Sequence, residues 1–411
     1  MRSSTGRWVT GNDFFGRDAE LAVLNTRVRE RNHVLLTGQR RMGKTSLARE
    51  LGRRLQADGW NFLFVDVEEA QRAEDVVALV AQQAHGLVGR SSRLRDAVRR
   101  WVDNVEEIGA FDLRLKLRAD LNAANWRRRG EELLEACVEP SQPLLVVLDE
   151  LPIFLLRVLG DGAGRAEVDA FLSWQRGVAQ ALGDRPFTLL VSGSIGLVPL
   201  VSRLGLPDRV NHFSNFRLGP WDRDTCCACL RRLSETHGVG MEPAVPQAVY
   251  ARLGVGIPHH VQSFFAHLRE DALIGGRGEI LLEAVDRVYR ESLLGPWGQN
   301  DLFHYETRLR EALDDQAFRV ALEVLTEAAA VGAFTVHAAK RLQERLAALD
   351  GDSPDSIAHV VTVLVHDGYL TENDDRSYSF PSRLLGDWWA ARFGSDHRPL
   401  DPKAGTTRGG Q

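Results

Sequence analysis

The sequence predicts an α/β chain with a parallel sheet at its centre, and three stretches carry the prediction. "HVLLTGQRRMGKTSLAREL" (33–51) runs an apolar strand through a glycine turn into a helix. "PLLVVLDELP" (143–152) runs a second apolar strand into two carboxylates, and "PFTLLVSGS" (186–194) runs a third into small polar residues. Strands that alternate with helical segments build parallel sheets, because a parallel neighbour needs a long crossover. Each strand turns polar at its carboxyl end, where such sheets place ligands.

The first stretch meets the pattern G-x-x-x-x-G-K-[ST] at every fixed position. Glycines let backbone wrap closely round phosphate, and a helix N-terminus aims its unpaired N–H groups at the anion. The run from Gly38 through Gln39, Arg40, Arg41, Met42 and Gly43 to Lys44, Thr45 and Ser46 is therefore the candidate phosphate cradle. Lys44 is expected to reach the terminal phosphates, and the Thr45 hydroxyl to ligate Mg²⁺. The Arg40 and Arg41 side chains are expected to point out of the loop, where they could meet a partner.

The second stretch puts Asp149 and Glu150 at the end of a buried strand. Asp149 is the candidate Mg²⁺ ligand, directly or through water, and Glu150 the general base that polarises the attacking water. In the third stretch Ser192 or Ser194 could hydrogen-bond that water or the γ-phosphate; a plain strand-end turn is the alternative. Ahead of the cradle, "FFGRDAEL" (14–21) reads as a turn before a helix, with Phe15 and Gly16 able to close over a base.

The order of these segments, followed by "RVNHFSNFRLGPWD" (209–222) and "LGVGIPHHVQSF" (253–264), resembles the archaeal-type ATPases at the boundary of AAA+ and STAND P-loop NTPases. The resemblance runs from about Phe14 to Phe393. It implies a parallel-sheet core at 1–220 with a basic insertion near 86–130, a helical lid at 221–300, and a C-terminal winged helix-turn-helix at 301–395. It also implies ATP as the nucleotide; no guanine-reading Asn-Lys-x-Asp motif is present. Gly256 and Pro258 would form the lid turn near the nucleotide, with His259 following. Arg209 would match an arginine that stabilises γ-phosphate charge in its own or a neighbouring subunit; a surface ion pair is the other reading. The chain departs from larger STAND proteins in having no big N-terminal effector segment and no repeat array.

Charge separates what the winged helix could do from what it is expected to do. Between Arg345 and Arg376 there is no Lys or Arg, while Asp350, Asp352, Asp355, Asp367, Glu372, Asp374 and Asp375 are acidic. DNA affinity rests on cations against phosphates, so this unit reads as a packing or partner module. Basic charge lies instead at 90–129, with ten Arg and one Lys against six acids. There "FDLRLKLR" (111–118) alternates apolar and charged residues and predicts an edge strand. Its cations could track nucleic acid, or simply keep the edge soluble and unpaired.

The net charge of −5 gives no whole-protein pull toward nucleic acid or membrane. No apolar run is long enough to span a bilayer, and the expected compartment is the cytoplasm. Cys137, Cys226, Cys227 and Cys229 read as buried thiols, and 396–411 as a disordered Gly/Pro/polar tail. The leading expectation is an Mg²⁺-dependent ATPase that switches conformation with nucleotide state, in regulated assembly with its own copies or a protein partner. A DNA-associated motor or loader, and a nucleotide-sensing scaffold whose hydrolysis is only a reset, are the alternatives.

Overall fold

The computed structural model describes residues 6–88, 94, 96, 109–139, 141–160, 164–194, 196–295, 300–350 and 355–400. They divide into two units. One takes Val9–Thr37 and Lys44–Leu218. The other takes the first residues to Trp8, the loop Gly38–Gly43, and the chain from Gly219 onward.

The first unit holds five strands: β1 (Val34–Thr37), β2 (Asn61–Asp66), β3 (Leu144–Asp149), β4 (Phe187–Ser192) and β5 (Ser214–Arg217). They lie in the order β2-β3-β4-β1-β5, and every pairing is parallel. All residues of β3 and β4 are buried, which is why both read as unbroken apolar runs. β5 lies at the edge and alternates half-buried with exposed positions. Helices α1 (Asp18–Arg29), α2 (Lys44–Ala57) and α3 (Ala73–Val88) precede the later helices Trp126–Cys137, Leu151–Gly160 and Gly164–Ala181.

The expected edge strand at 111–118 is instead part of a helix, Ala110–Asp120, which packs against α3. Alternation at every second residue also contains the i, i+4 spacing of a helix face. Leu117 and Leu121 are buried, whereas Phe111 and Leu115 remain 59% and 53% exposed. Leu, Arg and Lys are strong helix formers, and the segment has no β-branched residue to favour a strand.

Between β3, β4 and their covering helices lies a cavity of about 20 Å³, counted as space open to the centre of a water molecule. Val76, Val146, Leu148, Phe187 and Leu189 line it together with one amide, that of Gln175.

The second unit opens with helices Arg223–His237, Val245–Leu253, Pro258–Ile274 and Leu282–Val288. Asp222 caps the first of these by accepting from the Thr225 N–H at 2.7 Å. Cys226 and Cys229 are buried in that helix as expected, and burial pushes the Cys229 thiol pKa up. Helices Asn300–Ala312, Asp315–Val331, Val336–Asp350 and Asp355–His366 follow, then the antiparallel pair Thr371–Glu372 and Tyr378–Ser379. Phe334 bridges Tyr378 as a third extended position. Trp388 and Trp389, in the closing helix Arg383–Phe393, are core residues.

Residues 396–400, expected within a disordered tail, have partners in the fold. Residues 394–400 run back to Glu327, which is fully buried on helix Asp315–Val331. Its carboxylate meets His397 Nε2 at 2.5 Å and accepts the Leu400 N–H at 3.0 Å. A buried carboxylate needs such partners, and this one holds 396–400 in place. Residues 401–411 lie outside those described. No helix of the described residues is long and apolar enough to cross a membrane.

Candidate functional site

The loop Gly38–Gly43 leads from β1 into α2. Gly38, Arg41 and Gly43 take φ of 145°, 71° and 89°, all positive. Alternating hands of backbone turn successive N–H groups toward one side, the geometry that cradles anions. A positive φ at a non-glycine costs about 1–3 kcal/mol, so Arg41 marks a conformation held by its surroundings. The Met42 N–H closes the turn on the Gln39 carbonyl at 3.4 Å.

At the start of α2, Lys44 is 6% exposed and Thr45 points its hydroxyl to β3. Thr45 Oγ1 donates to Asp149 Oδ2 at 2.7 Å. Parallel register sets Leu148 beside Val191, so the next residue of each strand, Asp149 and Ser192, meet at the carboxyl ends. Ser192 Oγ donates to Asp149 Oδ1, and the Glu150 N–H adds a third bond at 3.2 Å. Asp149 is 3% exposed and has both oxygens occupied, as a buried carboxylate requires. Glu150 turns away with a left-handed φ of 59°. Its Oε2 accepts from Ser194 through both the backbone N–H, at 2.8 Å, and the hydroxyl, at 2.9 Å. Both candidate serines therefore contact the carboxylate pair, one each.

Two residues that the motifs did not single out stand at the same strand ends. Asp66, the last residue of β2, is the register partner of Asp149. Burial raises its pKa; the Glu68 N–H opposes this, and the Glu68 and Glu150 charges reinforce it. Arg49, one turn after Thr45, lies 3.7 Å from the centre of the Phe64 ring. Burial lowers its pKa against the pull of Asp149 and Asp66. The polar end of "NFLFVD" (61–66) was the available signal for Asp66, but only register shows which residue it faces.

Other expected residues have different surroundings. The Ser46 hydroxyl accepts the Val9 N–H at 3.0 Å, and Glu50 accepts the Gly11 N–H at 2.8 Å, so α2 carries the N-terminal segment. Burial pushes the Glu50 pKa up, but bonds from Arg53, Gly11 and Arg54 outweigh it and hold it at about 2. Phe15 is half-buried beside Gly16, whose φ of 68° turns the chain into α1. Arg209 Nε is 2.6 Å from Asp169 Oδ1, an ion pair inside its own unit. Among the basic residues of 90–129, Arg118 pairs with Asp75, Arg128 with Glu132 and Arg129 with Asp120.

In the second unit, Pro258 opens helix Pro258–Ile274, where a proline lacks no needed N–H. Two residues earlier, the Gly256 carbonyl accepts the Trp221 N–H at 2.8 Å. A Cβ on Gly256 would fall 2.3 Å from Cys226 Sγ and 2.4 Å from the Trp221 carbonyl oxygen, so only glycine fits that turn. The Arg41 guanidinium is 3.4 Å from His259 Nδ1.

A glycine loop, a lysine and threonine opening a helix, and an Asp-Glu pair closing a buried strand of the same sheet define a P-loop nucleotide site. The AAA ATPase domain family matches residues 13–162, which include every one of these groups. Among solved structures, a Walker-type ATPase of Pyrococcus abyssi has 15% identity and a TM-score of 0.61, covering 94% of this chain and 99% of its own. The ORC2 protein of Aeropyrum pernix, in ADPNP–ADP complexes, has 15% identity and a TM-score of 0.52, covering 94% and 98%. No curated protein matches the sequence. Residues 13–162 thus match an AAA ATPase domain, and the chain shares its fold with the Pyrococcus abyssi Walker-type ATPase, in keeping with the expected class.

Proposed function

We propose that the protein is an Mg²⁺-dependent ATPase that works as a nucleotide-driven conformational switch, in regulated assembly. The observation that carries the reading is the linked pair of contacts Thr45–Asp149 and Ser194–Glu150 at the carboxyl ends of β3 and β4. Thr45 and Asp149 offer a hydroxyl and a carboxylate oxygen 2.7 Å apart. Cis oxygens round Mg²⁺ at 2.0–2.1 Å stand about 2.9 Å apart, so this hard-oxygen pair suits that ion. Bound there, Mg²⁺ would supply charge neutralisation for the phosphates. Lys44 would hold the terminal phosphates in line, and Glu150 would take a proton from the attacking water. Ser194 occupies one of the two Glu150 oxygens and leaves the other for the water, so the serine acts as a brake on movement of the base.

The switch reading draws on the division of the chain. The loop Gly38–Gly43 groups with the C-terminal unit, while Lys44 and Thr45 group with the sheet. The subdivision of the C-terminal unit into a lid to about residue 300 and a winged helix to about 395 belongs to the same proposal, as does a cytoplasmic setting. Arg118, Arg128 and Arg129 already face Asp75, Glu132 and Asp120, which supports a protein-assembly role over DNA tracking.

The test is ATP turnover by purified protein with and without duplex DNA, wild type beside Glu150→Gln, with solution mass recorded in each nucleotide state. Slow turnover that ignores DNA, with a variant that accumulates in an ATP-bound assembly, is the expected result. Turnover that rises with DNA and weakens steeply with salt would install the motor reading instead. Absence of turnover in wild type would remove Glu150 from its role.

A further inference from the structure

Three successive residues of the phosphate loop are met by residues far along the chain, all within the second unit. Gln39 packs against Gly368, where a Cβ would come within 2.8 Å of the Gln39 Cβ. The Arg40 carbonyl accepts from the Tyr305 hydroxyl at 3.5 Å. Arg41 donates to His259 Nδ1 at 3.4 Å. The central contact belongs to a buried hub. Tyr305 is 1% exposed, its carbonyl accepts the Tyr369 hydroxyl at 2.7 Å, and its own hydroxyl lies 3.4 Å from His260 Nε2.

The chemistry of the hub fixes who donates. A tyrosine hydroxyl has one proton, and a carbonyl can only accept. With that proton on the Arg40 carbonyl, His260 must donate from Nε2–H to the Tyr305 oxygen. The direction matters because a trans peptide is planar, with C=O and N–H pointing opposite ways. Holding the Arg40 carbonyl from one side therefore aims the Arg41 N–H to the other. Within the loop Arg41 is the non-glycine at positive φ, so its peptide plane is one that local propensity would not choose.

We propose that Tyr305 is a positioning residue of the phosphate loop, orienting the Arg40–Arg41 peptide so that its N–H presents to the polyphosphate of a bound nucleoside di- or triphosphate. The proposal rests on the nucleotide reading given above. Tyr305 touches loop backbone and no phosphate itself. Tyr369 braces Tyr305 through its carbonyl, and His260 fixes the direction of the hydroxyl proton.

The experiment compares binding of ADP and of adenosine to the full chain by calorimetry, for wild type and Tyr305→Phe, with the melting temperature of each protein without nucleotide. Losing one hydrogen bond that orients a donor should weaken ADP binding by about threefold to tenfold. Adenosine, which lacks phosphate, should bind both proteins equally. Tyr369→Phe should show the same phosphate-selective loss at smaller size, and it carries the test if Tyr305→Phe does not fold. Equal weakening of adenosine and ADP would mean a general structural role and overturn the proposal, as would unchanged ADP affinity in both variants. Wild-type protein that binds neither ligand overturns the nucleotide reading first, and this proposal with it.

Discussion

Ser194 gives both of its hydrogen-bond donors to one oxygen of Glu150, at 2.8 Å and 2.9 Å. A carboxylate held by two donors does not rotate freely. Ser194→Ala removes the hydroxyl and leaves the backbone N–H. Turnover should change by less than about tenfold, whereas Glu150→Gln, which removes the base, should lower kcat by at least about a hundredfold. Single-turnover kinetics on both variants check this. Similar losses in the two would make Ser194 part of the chemistry rather than its brake.

Thr45 and Asp149 share one contact, so neither can be changed without releasing the other. Thr45→Ala leaves Asp149 bonded to Ser192 and the Glu150 N–H. The Mg²⁺ concentration for half-maximal turnover should rise by about tenfold or more, with little change in melting temperature. A titration of activity against Mg²⁺ gives the answer. An unchanged half-point would take Thr45 out of the metal site.

His33 and His212 stand at the amino end of the sheet, rings 5.9 Å apart. His33 Nδ1 accepts the Leu189 N–H at 3.0 Å, which requires the neutral ring. Burial lowers the pKa of both; for His212 it is joined by the His33 and Arg176 charges and reaches about 4. The unfolded chain, titrating near 6.5, then binds more protons than the folded one between about pH 6.5 and 4. The contribution is complete above 6.5 and is lost as pH falls through that window. His212 is only partly buried, so about 1 kcal/mol at pH 5 is the expected size after solvent screening. Melting curves at pH 7.5 and 5.0 should differ less for His212→Phe than for wild type.

Gln175 is 2% exposed, and neither atom of its amide has a hydrogen-bond partner among the described residues. An unsatisfied buried amide costs about 1–3 kcal/mol. Gln175→Met keeps nearly the same volume, fills apolar space beside Val146 and Leu148, and removes the polar group. The variant should melt higher than wild type. A lower melting point would mean that an ordered water in the cavity satisfies the amide, since removing its host would then cost rather than help.

The parts of the site that sequence makes legible are those whose geometry is local. Lys44 and Thr45 follow a glycine loop, and Asp149 and Glu150 end an apolar run; each pattern is set within ten residues. Asp66 is the register partner of Asp149, but its place depends on β2 pairing with β3 across a separation that no local pattern encodes. Tyr305 escaped for the same reason, lying 265 positions from the carbonyl it meets. The misread segment at 111–118 failed in a different way. Its alternation satisfies two periods, and packing of Leu117 and Leu121 chose between them. The tail failed on composition: His397 is an unremarkable polar residue until a buried Glu327 gives it a partner.

Strand β1 has no sequence neighbour in the sheet. Val34 pairs with Leu190 on one side and Ser214 on the other, so its second flank is supplied 180 residues after it is made. At about 5–20 residues per second, a ribosome takes about 9–36 s to deliver that flank. The strand that launches the phosphate loop has both edges open until β4 emerges and one open until β5 does, and Thr45 has no Asp149 until residue 149 has emerged. A newborn chain would thus acquire its grip on nucleotide late, in one step with the closing of the sheet, and an arrested or truncated product ending before β5 would present an unpaired apolar edge to the cell's chaperones.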